Sequence, residues 1–280
     1  MREINISEIT KAVRNLCIDA NYYLSEDVRG ILLKAREDET WDIAKNVLDK
    51  ILKNADIAST QKVPMCQDTG MTCVFIELGQ DVHIVGGSLE GAIDKGVAEG
   101  YEEGFLRKSV VKDPISRVNT KDNTPAVIYY DVVSGDKLKI IIAPKGFGSE
   151  NMSQIKMLKP SDGLKGVKEF VLKVVKEAGP NPCPPIVVGI GIGGTFDKVA
   201  YLAKRAAIRR TDKPNLNPFY ADLEKELMLE INKLGIGPQG FGGKTTALAV
   251  NIETFPTHIA GLPVAVNINC HAARHASVEL

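Results

Sequence analysis

Three of the five cysteines stand in settings that suit a metal ligand better than a core filler. Cys66 lies in Pro64-Met65-Cys66-Gln67-Asp68-Thr69-Gly70, Cys183 in Asn181-Pro182-Cys183-Pro184-Pro185, and Cys270 opens Asn269-Cys270-His271-Ala272-Ala273-Arg274-His275. Prolines fix the backbone and withhold N–H donors, so Cys183 sits in a stiff loop. Polar Gln67, Asp68 and Thr69 are unusual company for a core thiol. A zinc site would bring cysteines in close pairs, and no such pair exists here. Widely spaced single thiolates suit a cubane iron–sulfur cluster, whose usual complement is four. Three would leave one iron open as a Lewis acid for a substrate hydroxyl and carboxylate. The plainer reading of Cys183 is a chance cysteine in a proline turn. Cys17 and Cys73 fall on an apolar helix face and an alternating strand, where free cysteine acts as a small hydrophobe.

Elements must bring these residues together from distant parts of the chain. Ile9, Val13, Leu16, Cys17 and Ala20 recur at helical spacing, as do Ile43, Val47, Leu48, Ile51, Leu52 and Ala55 after Thr40, a candidate N-cap. Residues 72–78 read as a strand, followed by a Gly86-Gly87 turn and a helix over 88–106. Residues 126–133 and 137–143 are expected to form a hairpin about Ser134-Gly135-Asp136. The glycine-rich loop Pro144 to Asn151 follows. Helices are expected over 164–178, 196–209 and 220–234, and strands over 186–190, 246–252 and 262–268. The pattern fits a mixed α/β class, one domain over 1–280 with a helical lobe over about 1–60 on a mixed sheet flanked by helices.

Composition narrows the function. Lys plus Arg and Asp plus Glu both number 35, so no global field favours nucleic acid or an anionic membrane. No stretch approaches the roughly 20 apolar residues of a membrane span. The charged N-terminus carries no apolar signal core, and an odd count of cysteines argues against a secreted disulfide framework. The expected location is the cytoplasm.

Two glycine loops resemble nucleotide motifs. Gly189-Ile190-Gly191-Ile192-Gly193-Gly194 satisfies G-x-G-x-x-G between a strand and a helix, but Asp212 falls in a loop where the dinucleotide fingerprint wants an acidic strand end. Gly237 to Thr245 resembles a P-loop with Pro238 in place of the first glycine and the strand–helix order reversed.

Taken in order, Cys66 to Gly70, Leu106-Arg107-Lys108-Ser109, Lys145 to Asn151, Asn181 to Pro185, Gly189 to Thr195, and His258 through Cys270 to Arg274 resemble the alpha-type subunit of the class I, iron–sulfur fumarate hydratase and L-tartrate dehydratase family. The resemblance implies a 4Fe–4S cluster held by Cys66, Cys183 and Cys270. It implies reversible hydration of a dicarboxylic acid, fumarate to L-malate as first choice and L-tartrate or mesaconate as alternatives. Gln67 and Asp68 would reach substrate, Asp68 pairing with a threonine that abstracts the C3 proton. Arg107 would bind a carboxylate, the loop at Gly148 would offer backbone N–H, and His258 would contact substrate near the iron. The threonine and further cations would come from a separate beta-type subunit, with an α2β2 assembly expected. A different class is a non-catalytic metal-binding or assembly subunit.

Overall fold

Continuous apolar runs in Met71–Gly79 and Ile186–Gly193 make strands buried on both faces, and three-to-four spacing elsewhere makes helices that cover them. The computed structural model describes every residue, Met1–Leu280. The order is β1 (Arg2–Asn5), α1 (Ile6–Tyr22), α2 (Glu26–Asp38), α3 (Asp42–Gln61), β2 (Met71–Gly79), β3 (Val82–Val85), α4 (Leu89–Glu103), β4 (Val127–Val133) and β5 (Leu138–Lys145). Then come the single-turn α5 (Phe147–Glu150), β6 (Gln154–Leu158), α6 (Gly163–Ala178), β7 (Ile186–Gly193), α7 (Phe196–Ala207), α8 (Pro218–Asn232), β8 (Ala247–Phe255), β9 (Leu262–Asn269) and β10 (Ala276–Glu279). The expected mixed α/β class is met, and no helix is long and apolar enough to cross a membrane. The chain forms two units. One comprises Met1–Ser25, Asn54–Phe147 and Arg274–Leu280, the other Glu26–Lys53 and Gly148–Ala273.

In the first unit, the sheet runs β10-β5-β2-β4, and β1 pairs with β3 in a separate parallel ladder. Asn5 caps α1 by accepting from the Ser7 N–H, and Ser88 caps α4 by accepting from Gly91. Their apolar faces (Ile9, Val13, Leu16 and Cys17 against Ile93, Val97 and Tyr101) share one core with Val74, Ile76, Ile140 and Ile142 of the sheet. The expected hairpin does not form. β2 lies between β4 and β5, parallel to the first and antiparallel to the second. β2 is the strand with five consecutive buried residues, so it takes the central position that buries both its faces. The Ser134-Gly135-Asp136 turn passes over the end of β2 instead. The Gly79 N–H donates to Lys137 O at 2.8 Å, and a Cβ on Gly79 would lie 2.5 Å from Gly135 O.

In the second unit, the sheet runs β6-β9-β7-β8, with β7 parallel to β8 and antiparallel to β9. Alternate residues Ile186, Val188 and Ile190 share a core with α6 and α8. The other face of β7 presents Gly189 and Gly191 to α7, where an added Cβ would lie 2.2 Å from Ala203 O and Val199 O respectively. These glycines let a helix lie directly on a strand. Of the N-terminal helices, α1 belongs to the first unit and α2 to the second, while the boundary at Lys53–Asn54 falls within α3. Thr40 is not the cap of α3. The helix starts at Asp42, with the Lys45 N–H donating to Trp41 O, and the Glu39 carboxylate accepts from the Thr40 and Trp41 N–H groups.

Candidate active site

Two of the three candidate cysteines are brought together in the second unit. Antiparallel pairing sets Val187 opposite Asn269, so the loop entering β7 and the residue leaving β9 meet at one end of the sheet. The His271 N–H donates to the Cys183 carbonyl at 3.4 Å, and His271 Nδ1 stands 3.0 Å from the same oxygen. Gln239 Nε2 donates to Pro184 O at 2.8 Å and lies 3.2 Å from His271 Nδ1. Cys183 has a φ of 55°, a region disfavoured for a residue with a Cβ, and its thiol is exposed. Strain of this kind persists where surrounding structure over-determines it, and it clusters at functional sites. A Cβ on Gly148 would meet only Asn181 O, at 3.8 Å, so the exposed backbone of Gly148 stands beside the same proline loop. Glu150, one turn end of α5, accepts from Asn267 Nδ2 at 2.7 Å and forms an ion pair with Lys204.

The first unit builds a second cluster around the turn after Cys66. Asp68 Oδ1 accepts from the Gly70 N–H and Oδ2 from the Phe147 N–H, both at 2.9 Å. Those two bonds leave lone pairs on the half-buried carboxylate for other donors. Gln67 is exposed, its Oε1 3.5 Å from Cys66 Sγ. Thr69 Oγ1 donates to Arg107 O at 3.0 Å, which ties the Arg107 backbone to this turn while the exposed guanidinium has no protein partner. Buried Asn123 reinforces the tie, accepting from Ser109 and Val110 N–H and donating to Gly70 O. Tyr101, fully buried, places its hydroxyl 2.8 Å from Thr69 O and 3.0 Å from Gly70 O. Burial pushes the phenol well above its ordinary range, so it remains a neutral donor. Tyr101, Asn123 and Gln239 were not singled out from the sequence, since a lone polar residue in an apolar or glycine-rich run carries no pattern.

His258 stands apart. It lies in the exposed loop between β8 and β9, where its Nδ1 accepts from the Ala260 N–H at 3.2 Å and the neighbouring Thr257 donates to Gly194 O. That is the opposite end of the sheet from Cys183 and Cys270, a full strand of about 25 Å away. Within one chain, His258 and these two cysteines are thus separated by the length of the sheet. The nucleotide-like loops are also occupied. Gly189 and Gly191 sit inside β7 beneath α7, and the Lys244 N–H of the P-loop-like segment donates to buried Glu39 at 2.8 Å.

A protein-family model described as fumarate hydratase (Fumerase) matches residues 10–279. The chain belongs to the fumarate hydratase (Fumerase) family. Among its relatives, the putative L(+)-tartrate dehydratase subunit alpha of Methanocaldococcus jannaschii is 45% identical over 277 residues, covering 96% of each chain. The L(+)-tartrate dehydratase subunit alpha of Escherichia coli strain K12 is 30% identical over 277 residues, covering 98% of this chain and 91% of the relative. That of Escherichia coli O157:H7 is 31% identical with the same coverage. The resemblance to an alpha-type subunit of the class I fumarate hydratase and tartrate dehydratase family is thus met, and the Fumerase relatives are hydro-lyase subunits.

Whether these Fumerase residues suit an iron–sulfur group turns on the donor set. No group of three or more His, Cys, Asp or Glu side chains is gathered in metal-holding geometry. All five cysteines are free thiols. Cys17 is fully buried, and burial pushes its thiol up to about 12, so it stays protonated; Cys73 is buried in β2. The three thiols with solvent access are Cys66, Cys183 and Cys270, and the latter two flank one hydrogen-bonded junction. The donors suit such a group in kind, and backbone bonding brings the Cys183 and Cys270 segments side by side.

Proposed function

We propose that this chain is the alpha subunit of an iron–sulfur hydro-lyase that removes water from L(+)-tartrate, its active site completed by a beta-type subunit. The names of the relatives, tartrate dehydratase subunits alpha at 30–45% identity along nearly the whole chain, carry this reading. They displace fumarate as the first choice. Hydration of fumarate remains the second reading, favoured by the description of the matching family.

Cys66, Cys183 and Cys270 would hold a 4Fe–4S cluster. Such a cluster supplies a Lewis acid to the departing hydroxyl. The remaining demands fall on the protein. Loss of a proton from the adjacent carbon places charge on a substrate carboxylate, and donors aimed at that charge lower the barrier. The Arg107 guanidinium, free of protein partners, is suited to clamp a carboxylate in two-pronged fashion. Gly148 is exposed, and a side chain placed on it would meet only Asn181 O, so its backbone is suited to approach by a ligand oxygen. Asp68 is held by two N–H groups and keeps acceptor capacity to orient a hydroxyl group on the beta subunit, and Gln67 offers an amide beside it. Free thiols of this kind suit a reducing cytoplasm.

The test is anaerobic reconstitution of the chain with its beta-type partner, assayed for oxaloacetate from L(+)-tartrate and L-malate from fumarate. A kcat/KM for tartrate at least tenfold above that for fumarate is expected, with no turnover by the alpha chain alone. A preference for fumarate would install the second reading, and failure on both diacids would end the hydro-lyase assignment for this site.

A further inference from the structure

Arg274 is 5% exposed, yet no carboxylate lies within ion-pairing distance of it. Its Nη1 donates to Asn21 Oδ1 at 2.9 Å and to the main-chain oxygen of Asp68 at 2.8 Å, while Nε is buried without a partner. A buried cation whose hydrogen bonds go only to neutral oxygens is costly to a fold and calls for a purpose beyond packing. Its bonds show where that purpose lies. Asn21, fully buried at the end of α1, also donates to Cys17 O and offers its own main-chain oxygen to the Met65 N–H at 3.0 Å. Asn54 Nδ2 donates to Met65 O at 2.8 Å. The peptide units on either side of Cys66 and Gln67 are thus anchored, at Met65 by Asn21 and Asn54 and at Asp68 by Arg274.

The guanidinium also stands behind the Asp68 side chain. A Cβ on Gly146 would lie 3.3 Å from Asp68 Oδ2 and 3.4 Å from Arg274 Nη2, so both groups border the same small space. The Asp68 carbonyl is fixed by Arg274, and its carboxylate by the Gly70 and Phe147 N–H groups. We infer that Arg274 is the positioning residue of the Cys66–Gly70 turn, setting the peptide from which Gln67 and Asp68 project toward substrate. The inference rests on the proposed role of Asp68, and its test separates the two. Both bonds leave the one nitrogen Nη1; a lysine retains the charge, but its shorter side chain ends before that position, so it replaces arginine only in part.

Four variants of the full chain make the test: Arg274→Met, Arg274→Lys, Asp68→Asn, and Val13→Ala as a control that loosens the α1 core away from the turn. Hydrogen exchange on the chain without its partner is read at the Gly70 and Phe147 amides, and kcat and KM on the reconstituted enzyme. Arg274→Met is expected to speed exchange at both amides at least tenfold and to lower kcat about 10²-fold, the effect of a misplacement of about 1 Å, with KM within threefold. Arg274→Lys should recover part of each, and Val13→Ala should lower the melting temperature while sparing both. If Arg274→Met only lowers the melting temperature, as the control does, the inference fails. Should Arg274→Met not fold, Arg274→Lys with wild-type exchange at the two amides overturns it equally. Loss of turnover in Asp68→Asn together with full turnover in Arg274→Met sinks this inference alone; full turnover in Asp68→Asn sinks the proposed role of Asp68 instead.

Discussion

The two ends of the β6-β9-β7-β8 sheet are built from the same strands and are used differently. At the end where β7 begins, backbone groups of Cys183, Pro184, Gln239 and His271 bond to one another, and two thiols are left with solvent access. At the end where β7 finishes, Gly193, Gly194 and Thr257 make a plain turn, and His258 folds onto its own loop. One end holds thiols outward on rigid backbone; the other reverses the chain with His258 on its surface. Residue type alone does not distinguish them, since a histidine and a glycine motif at the plain end look as chemical as a cysteine at the other. What differs is whether a strained or proline-fixed backbone holds the side chain outward.

The sharpest way to break this contrast is Cys183→Ser. We expect turnover of the reconstituted enzyme to fall to background and iron bound per chain to drop, with little change in the melting temperature because the thiol is exposed. Iron analysis beside the tartrate assay checks it; a variant that binds iron and turns over normally would remove the cysteine end from the chemistry. Next comes Gly191→Ala, midway between the ends. Its new Cβ would sit 2.2 Å from Val199 O, and we expect destabilisation of about 1–3 kcal/mol or more by denaturant melts, with nicotinamide dinucleotide failing to bind variant or wild type.

Glu39 sharpens the contrast from the side of the loop that carries Gln239. Burial pushes its carboxyl up, but the N–H groups of Trp41, Lys244 and Thr40 with the Lys244 charge more than reverse this, leaving its pKa below the ordinary carboxylate value. Its stabilisation is therefore complete above the unfolded-state pKa and is lost as pH falls through the lower folded-state value. Glu39→Gln should cost about 1–3 kcal/mol at neutral pH, and the gap from wild type should close on acidification below about pH 4. A gap independent of pH in urea melts would count against the assignment. The smallest effect is expected from His258→Ala: stability within about 0.5 kcal/mol and turnover within tenfold. Collapse of turnover would mean that His258 serves an active site other than the one its own Cys183 and Cys270 belong to.

Much of the fold was legible because the long elements bury clear patterns. Ile9, Val13, Leu16 and Cys17 reported α1, and the run Ile186 to Ile190 reported β7. The short edge strands β1, β6 and β10 escaped notice, since each is half exposed and buries too few residues to show a period of two. The β4–β5 hairpin was expected from a good turn sequence, which carries no information about a third strand entering between its arms. G-x-G in β7 has two physical meanings, a phosphate turn or a bare strand face, and only the helix lying on Gly189 and Gly191 decides between them. At the site, Cys66 and Cys183 stood out by their neighbours, and Asp68 only through the family resemblance. Arg274 did not, because the bond that gives it meaning joins residues 206 positions apart.

The last strand of the chain belongs to the first unit. β10 pairs with β5, and Leu280 and Leu138 exchange both main-chain bonds, while Arg274 arrives on the same closing segment. On the ribosome, then, the earlier residues must wait: the Asp68 turn gains its guanidinium anchor only after residue 274 has emerged, when every other strand has already been made.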